Sequence, residues 1–514
     1  MSKTIIIIGA GLAGLSAALQ AAENGCNVKL VSSLPSERAQ SVMAEGGINA
    51  ALNTKDENDS PEEHFTDTIK AACGLADPNA VWGMTQAAPE LVHWLLKLGV
   101  KFNMSGYDDV DLRNFGGQKK KRTAFAQSDT GKQIMTAMID AVRRKEASGM
   151  VERFSHHSFL TLRLCGNICC GCVIRDEYSQ ETVELPGDAV IVATGGMHGL
   201  FGNTTGSLSN TGEVTAELFR LGVPLANGEM IQYHPTTVKC GGKRMLISEA
   251  ARGEGGRLFA MKDGKQWYFM EEKYPELGNL MPRDITAREI WKVSHESEVF
   301  LDMTEISEEI ISNKLSGLAD DCMTYLHKDI RKEPVSVLPG IHYFMGGILV
   351  DEQHRTPIQN LYAAGECCAQ YHGANRLGGN SLLGALYGGR VAAKSACEQA
   401  DVVDLSCATQ IDFPPTSQIS EIKQLNKLMQ DTMGVVRNEN TLLNGIQTVQ
   451  ALTGNLPLLG MAVLKSALAR KESRGAHWRE DYPKSNDDDY LKTTVARFDG
   501  KQIQISFVPV PERR

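Results

Sequence analysis

Thr4-Ile-Ile-Ile-Ile8-Gly9-Ala-Gly11-Leu-Ala-Gly14 is a β-branched run followed by three glycines spaced G-x-G-x-x-G. The run suits a buried parallel strand. An alanine- and leucine-rich stretch to about Glu23 reads as a helix, and Cys26-Asn-Val-Lys-Leu-Val31 reads as a second strand. Strand, tight turn, helix and strand within about 28 residues make the βαβ unit of a dinucleotide fold. In that unit Gly9 permits the turn, Gly11 lets the backbone approach a pyrophosphate, and Gly14 allows close helix–strand packing. The helix N-terminus then faces the phosphate charge. Thr4 to Ala22 is apolar enough to pass for a signal peptide or a membrane span, but its three glycines fit the dinucleotide turn better. No export signal and no membrane segment are expected.

The second strand ends Val31-Ser32-Ser33, without the acidic residue that usually meets a ribose. A second dinucleotide contact is therefore expected elsewhere. Residues 188–196, Asp-Ala-Val-Ile-Val-Ala-Thr-Gly-Gly, supply a late strand and glycine turn. Residues 360–366, Asn-Leu-Tyr-Ala-Ala-Gly-Glu, supply another, with Glu366 placed to hold a ribose hydroxyl. A strand returning to the nucleotide so late implies a discontinuous domain interrupted by an insert, residues 229–337. Beyond about residue 414 the pattern turns helical, with Ser420 to Met433 and Leu442 to Leu452 reading as amphipathic helices. From about Asp481 the chain is charged, then strand-like over Gln502-Ile-Gln-Ile-Ser-Phe-Val508, and reads as an extended tail.

A chain of 514 residues is too long for one core, so two to four structural units are expected. The net charge of -9 argues against nucleic acid as a partner. It leaves a small acidic substrate open, because such a ligand responds to the local field. Twelve cysteines with no repeating spacing are not a disulfide framework, so the chain reads as reduced and cytoplasmic.

Six motifs then occur in order: Gln40-Ser-Val-Met-Ala-Glu-Gly-Gly-Ile-Asn49, Gln232-Tyr-His-Pro-Thr-Thr237, Ser248-Glu-Ala-Ala-Arg-Gly-Glu-Gly-Gly256, Pro282-Arg-Asp284, His342-Tyr-Phe-Met-Gly-Gly347 and His372-Gly-Ala-Asn-Arg-Leu-Gly-Gly-Asn-Ser-Leu382. In these the chain closely resembles the fumarate reductase, succinate dehydrogenase and L-aspartate oxidase flavoproteins. The similarity runs on to Glu472-Ser-Arg-Gly-Ala-His-Trp-Arg-Glu-Asp-Tyr-Pro483, nearly the whole chain. The resemblance implies an α/β protein: a Rossmann-like FAD-binding domain (1–228 and 338–413), an inserted α+β capping domain (229–337), a C-terminal helical domain (414–480) and an extended tail (481–514).

It also implies a chemistry, the reduction of fumarate to succinate. A flat dicarboxylate needs clamps for both carboxylates, a hydride donor, which the flavin supplies, and an acid. By the family's motifs His234, Ser248 (where threonine is usual), His342 and Arg376 bind the carboxylates, Arg376 as a bidentate fork. Arg283 resembles the family's proton-donating arginine. Its reference pKa, roughly 12.5 or above, suits a developing carbanion, which is a strong base. Glu249 and Arg252, three residues apart and so on one face of a helix or turn, resemble the relay that restores its proton. Without the family pattern these two would read as a salt-bridged surface turn, and each histidine as a packing residue.

Expected cofactor contacts are Gly9, Ala10, Gly11, Leu12, Ala13 and Gly14 in the first turn, and Ser32 after the second strand. Gln40, Ser41, Glu45, Gly46 and Gly47 follow, then Ala193, Thr194, Gly195 and Gly196. Asn210 and Glu213, Gly365 and Glu366, and Arg376, Asn380, Ser381 and Leu382 complete the set. No metal ligand set is expected.

Departures sharpen the reading. Gln40 stands where membrane-bound members carry a flavin-linked histidine, so FAD is expected to be non-covalent, which favours fumarate reduction. Asn210-Thr-Gly-Glu213 replaces the common Thr-Gly-Asp, and Gly379 replaces serine or alanine. L-Aspartate oxidase is the chief alternative. Its substrate loop carries a glutamate for the amine where Arg113-Asn-Phe-Gly-Gly-Gln118 has Phe115, and an apolar ring offers an ammonium nothing. A flavin carrier that only passes electrons is a third reading, opposed by the retained arginines and histidines.

Lys119-Lys-Lys-Arg122 reads as solvated surface, with attraction of a dianion as the alternative. Cys165, Cys169, Cys170 and Cys172 alternate as in a β-hairpin, which favours structural thiols over a metal site. No Cys-x-x-Cys-His haem site and no iron–sulfur domain is visible. Electrons are therefore expected from an iron–sulfur subunit or a diffusible reductant, with the chain cytoplasmic or held at the inner face of a membrane by partner subunits.

Overall fold

The structure, a computed structural model, describes residues 2–106, 109–401, 411, 413 and 419–514. Its central sheet is five parallel strands in the order Leu361–Ala363, Ala189–Val192, Thr4–Ile8, Asn27–Ser32, Val151–Ser155. Thr4–Ile8 lies in the middle, and Ile5, Ile6 and Ile7 are fully buried, as a strand covered on both faces requires. The strands at 189–192 and 361–363 both join it, so the chain does return to the first sheet after the long excursion. Helix Leu12–Glu23 packs against helix Asn380–Gln399, where the Ser16 hydroxyl donates to Leu386 O (2.7 Å).

Two glycines of the first turn are fixed by space. At Gly9, φ is +110° and a Cβ would stand 2.3 Å from Ala193 O; at Gly14 a Cβ would stand 1.8 Å from Gly9 O. Both are closer than any side chain can approach, so strand, turn and helix close only with glycine here.

Strands His157–Cys165, Ile168–Asp176 and Thr182–Pro186 form an antiparallel meander. Cys169 and Cys172 pack among Ile6, Val190 and Val192, matching the hairpin reading. Burial pushes the Cys169 thiol up to about 12.

Within 229–337, strands Lys265–Trp267, Arg257–Lys262, Val299–Asp302 and Val335–Ser336 make a four-stranded sheet. Helix Arg283–Val293 shares one apolar core with it through Ile290 and Val293. Strand Ile231–Cys240 pairs on one side with Lys243–Leu246 and on the other with Leu338–Phe344, which joins the insert to the returning chain.

Helices Ile419–Thr432 and Glu439–Val449 appear where the amphipathic pattern predicts them. A third, Asn455–Ala469, is apolar nearly all round and sits between them and the body of the protein. The expected boundary at 413/414 lies outside the described residues. The tail departs from expectation. Lys492–Phe498 and Ile503–Pro509 form a hairpin, and Val495 and Ala496 pair with Leu225 and Ala226 to complete a second five-stranded sheet. The reason is the exposed edge at Leu225–Ala226, whose unpaired backbone groups the hairpin satisfies.

Candidate active site

A continuous cavity of about 540 Å³ runs from the Gly9 turn to a cluster of arginines and histidines. Every expected cofactor residue lines it except Gly14 and Asn380. Gly14 lies beneath the turn, against Gly9, and serves helix–strand packing. Asn380 is wholly buried: its Oδ1 meets Asn49 Nδ2 (2.7 Å) and His64 Nε2 (2.9 Å), and its Nδ2 donates to Thr68 Oγ1 (3.0 Å). It is a structural hub whose side-chain amide is engaged within the protein.

The cavity fits FAD by its own chemistry. Helix Leu12–Glu23 starts at Gly11 with no acid in its first turn, and its first N–H, of Leu12, donates to the neutral Ser41 hydroxyl (3.2 Å), an end that suits a phosphate. Ser32 Oγ is buried without a partner in the cavity wall, where a hydroxyl-rich ligand would satisfy it. Glu366 also lines the wall; its Oε1 accepts from Phe344 N (3.1 Å) and faces His198 Nε2 (3.3 Å).

At the other end, Arg283 opens helix Arg283–Val293 behind Pro282, which holds its side chain at the cavity edge. Ser248 caps helix Glu249–Gly253, its hydroxyl accepting from Ala250 N (3.4 Å). That short helix carries Glu249 and Arg252 (Arg252 lies outside the cavity wall), both buried. Burial overturns the surface-turn reading of this pair. Arg283 Nη2 and Nε both reach Glu249 Oε2 (2.6 and 2.8 Å), and Arg252 Nη2 stands 3.5 Å from Glu249 Oε1.

Gln232, which the sequence reading passed over although it heads the Gln232–Thr237 motif, joins the two arginines. Its Oε1 accepts from Arg283 Nη1 (3.1 Å) and from Arg376 Nη2 (3.0 Å). Its Nε2 donates to Arg376 O and to Asn375 Oδ1 (both 2.9 Å), so the amide is fully used. Tyr343 lies under the Arg376 guanidinium, 4.3 Å from carbon to ring centroid. Thr205, which no motif marked, bonds His342 Nδ1 through its hydroxyl (2.8 Å). His234 and His342 meet edge to face at 5.1 Å.

Arg252 and Arg283 thus contact a single carboxylate, Glu249, and a third guanidinium, of Arg376, joins the cluster through the Gln232 amide. The surplus is positive, and Arg376 Nε is buried without a partner. Burial, reinforced by Arg283, pulls Arg376 down to about 9. Burial and the Arg283 charge hold His234 and His342 well below the usual histidine range, so both rings are neutral. Burial pushes the Glu249 carboxyl up, but Arg283 and Arg252 outweigh it and leave the group below its ordinary value, hence ionised. The site is a positively charged slot with neutral histidine donors, suited to a small dianion.

Phe115 is buried in the same wall, against Gly46 and Gly378. Its neighbour Gly116 donates its N–H to Glu249 Oε1 (2.9 Å), tying this loop to the acid between the arginines. Of the basic run that follows, Lys119 and Lys121 are exposed as expected. Arg122 is not: it is fully buried and pairs with Asp59 (2.9 Å) and Asp67 (3.0 Å), whose charges offset its own.

The profile of the family described as FAD binding domain matches residues 4–382, and that described as Fumarate reductase flavoprotein C-term matches residues 452–513. The succinate dehydrogenase flavoprotein subunit of Bacillus subtilis is 38% identical over 100% of this chain and 98% of its own. The 8-methylmenaquinol:fumarate reductase flavoprotein subunit of Wolinella succinogenes is 32% identical over 100% and 92%. The solved FrdA chain of E. coli quinol fumarate reductase superposes with a TM-score of 0.90 at 27% identity, covering 99% of this chain and 97% of that one. The chain therefore belongs to the fumarate reductase/succinate dehydrogenase flavoprotein family and is an FAD-binding oxidoreductase.

Proposed function

We propose that the protein interconverts fumarate and succinate, with fumarate reduction as its favoured direction, and binds FAD without a covalent bond. The observation that carries this reading is the meeting of Arg283, Arg376, His234 and His342 at one end of the FAD-sized cavity. The charge surplus there matches a dicarboxylate dianion. Gln40 lines the cavity where a linking histidine would stand, which supports the non-covalent state.

FAD, when bound, supplies the hydride. The chain's own residues do the rest. Arg376 takes one carboxylate through its free Nε edge, and neutral His234 and His342 donate to the dianion without adding charge. Ser248 lies within the same wall as a hydroxyl donor. Arg283, held from both sides by Glu249 and Gln232, presents an N–H to the carbon that becomes basic as hydride arrives. Ionised Glu249 then accepts a proton from the Arg252 side and hands it on to the deprotonated Arg283, which restores both groups. These charged side chains are buried, so each acts at lower dielectric than in water.

His234, Glu249, Arg252 and Arg283 all belong to residues 229–337, which act as the cap, while Arg376, Phe115 and the glycine turns belong to the FAD-binding body (1–228 and 338–413). Residues 414–480 form the helical unit and 481–514 the C-terminal extension. Substrate thus binds between cap and body. Electrons reach the flavin from an iron–sulfur subunit or a diffusible reductant. Among the described residues no helix is long and apolar enough to cross a membrane, so attachment to one would run through partner subunits.

The test is anaerobic oxidation of reduced viologen by fumarate with the purified holoenzyme, beside oxidation of L-aspartate. Rapid fumarate turnover with inert aspartate supports the proposal. Aspartate oxidation with slow fumarate turnover would assign the protein to the amine reaction, and bound FAD with no turnover on either would make it an electron carrier.

A further inference from the structure

Far from the cavity, two cysteines separated by 371 residues of chain meet: Cys26 Sγ and Cys397 Sγ are 2.8 Å apart. Cys26 follows helix Leu12–Glu23, at the end away from the glycine turn, and Cys397 lies in the last turn of helix Asn380–Gln399. These two helices are pressed together along their length. A Cβ at Gly389 would stand 2.3 Å from Ala13 O, and Ser16 bonds Leu386. Their packing therefore fixes the approach of the sulfurs. Lys3 Nζ also donates to Cys397 O (2.8 Å), tying the end of the second helix to the first strand. Cys26 is buried and Cys397 is half-buried, so a small reagent reaches Cys397 first. Neither residue lines the cavity, and nothing in the proposed reaction uses them.

We propose that Cys26 and Cys397 are an oxidisable dithiol that a hydroperoxide converts to a disulfide. The link would lock the first and last helices of the nucleotide fold together without touching the active site. A disulfide needs about 2.05 Å between sulfurs, so closure asks only a small approach of the two side chains. In the first step the Cys397 sulfur attacks the peroxide O–O bond, giving the sulfenic acid and one water. In the second, the Cys26 sulfur displaces that hydroxyl, forming the S–S bond and releasing a second water. Two thiols are oxidised by two electrons and one peroxide is reduced to two waters. Burial, and the neighbouring Cys26, push the Cys397 thiol up to about 12, so little thiolate exists at neutral pH and the reaction is slow there. The disulfide closes a very long loop, which removes much freedom from the unfolded chain.

The experiment treats the pre-reduced holoenzyme with hydrogen peroxide and maps peptides without reduction after blocking free thiols. The expected result is a peptide pair joined through Cys26 and Cys397 that dithiothreitol separates, with a melting temperature several degrees above that of the reduced protein. Cys397→Ser should abolish both changes, while turnover of the untreated variant stays at the wild-type level. Recovery of Cys26 and Cys397 as separately alkylated residues, or as sulfinic acids with no joined peptide, would overturn the proposal. The mapping uses the unaltered chain, so it decides the matter even if the variant folds poorly.

Discussion

Glu249 stands between two guanidiniums and gives one oxygen to each: Oε2 to Arg283 at 2.6 Å and Oε1 to Arg252 at 3.5 Å. With Gly116 N–H also on Oε1, the carboxylate is held on both sides within a buried wall. A single acid so placed keeps Arg283 oriented and gives it a partner for proton exchange.

Glu249→Gln keeps the size and one acceptor but removes the charge and the ability to accept and pass on a proton. Turnover should fall by about 10²-fold or more, the scale of a lost acid–base group. The pH dependence has a definite sign. The folded carboxyl titrates below its ordinary value, about 4.3, so the stability it contributes is complete above that pH and is lost as pH falls through the folded value. Thermal melts of wild type and variant should therefore differ most near neutrality and converge as pH falls below the ordinary carboxylate range. Coincident melts at neutral pH would show that the ion pair adds nothing to stability.

Gln232→Leu would strip Arg283 and Arg376 of the acceptor they share. Two buried donors left unpaired cost about 1–3 kcal/mol each, and both belong to groups that must meet substrate. A fall in kcat/KM for fumarate of roughly 10- to 100-fold is expected, with FAD content unchanged. Steady-state kinetics on the flavin-loaded variant would show it.

Much of this was readable beforehand, for local reasons. The Gly9 turn and the strands at 189–192 and 361–363 declare themselves through glycines and β-branched runs. The Arg283, Glu249 and Arg252 cluster was legible only through the motifs, because it joins a helix start to a short helix 31 residues earlier in the chain. Three features escaped. Arg122 reads as the end of a lysine run, and only Asp59 and Asp67, brought in from elsewhere, make it a core residue. Asn380 sits in a cofactor motif, yet its amide is consumed by Asn49, His64 and Thr68. The final hairpin reads as a tail because the edge it completes, Leu225–Ala226, is two residues long and leaves no periodic trace.

Asn380→Ala tests whether this amide serves the fold or the cofactor. Loss of a buried amide with three partners should lower stability by about 2 kcal/mol or more, visible in denaturant unfolding, while FAD affinity changes little. A selective loss of flavin from a stably folded variant would return Asn380 to the cofactor site.

Acid precipitation tests the flavin linkage. With Gln40 in the wall and no histidine at that place, all yellow colour should pass into the supernatant. Gly9→Ala should abolish flavin retention, since the added methyl would meet Ala193 O at 2.3 Å and the turn cannot keep φ at +110°.

In the proposed reaction Arg283 supplies the proton to fumarate. The most direct measurement is the anaerobic fumarate reductase rate of Arg283→Ala, with FAD content confirmed by absorbance. The account predicts a loss of at least about 10³-fold in kcat with the flavin still bound. Turnover within tenfold of the wild type would contradict it and move the proton donor elsewhere in the cavity.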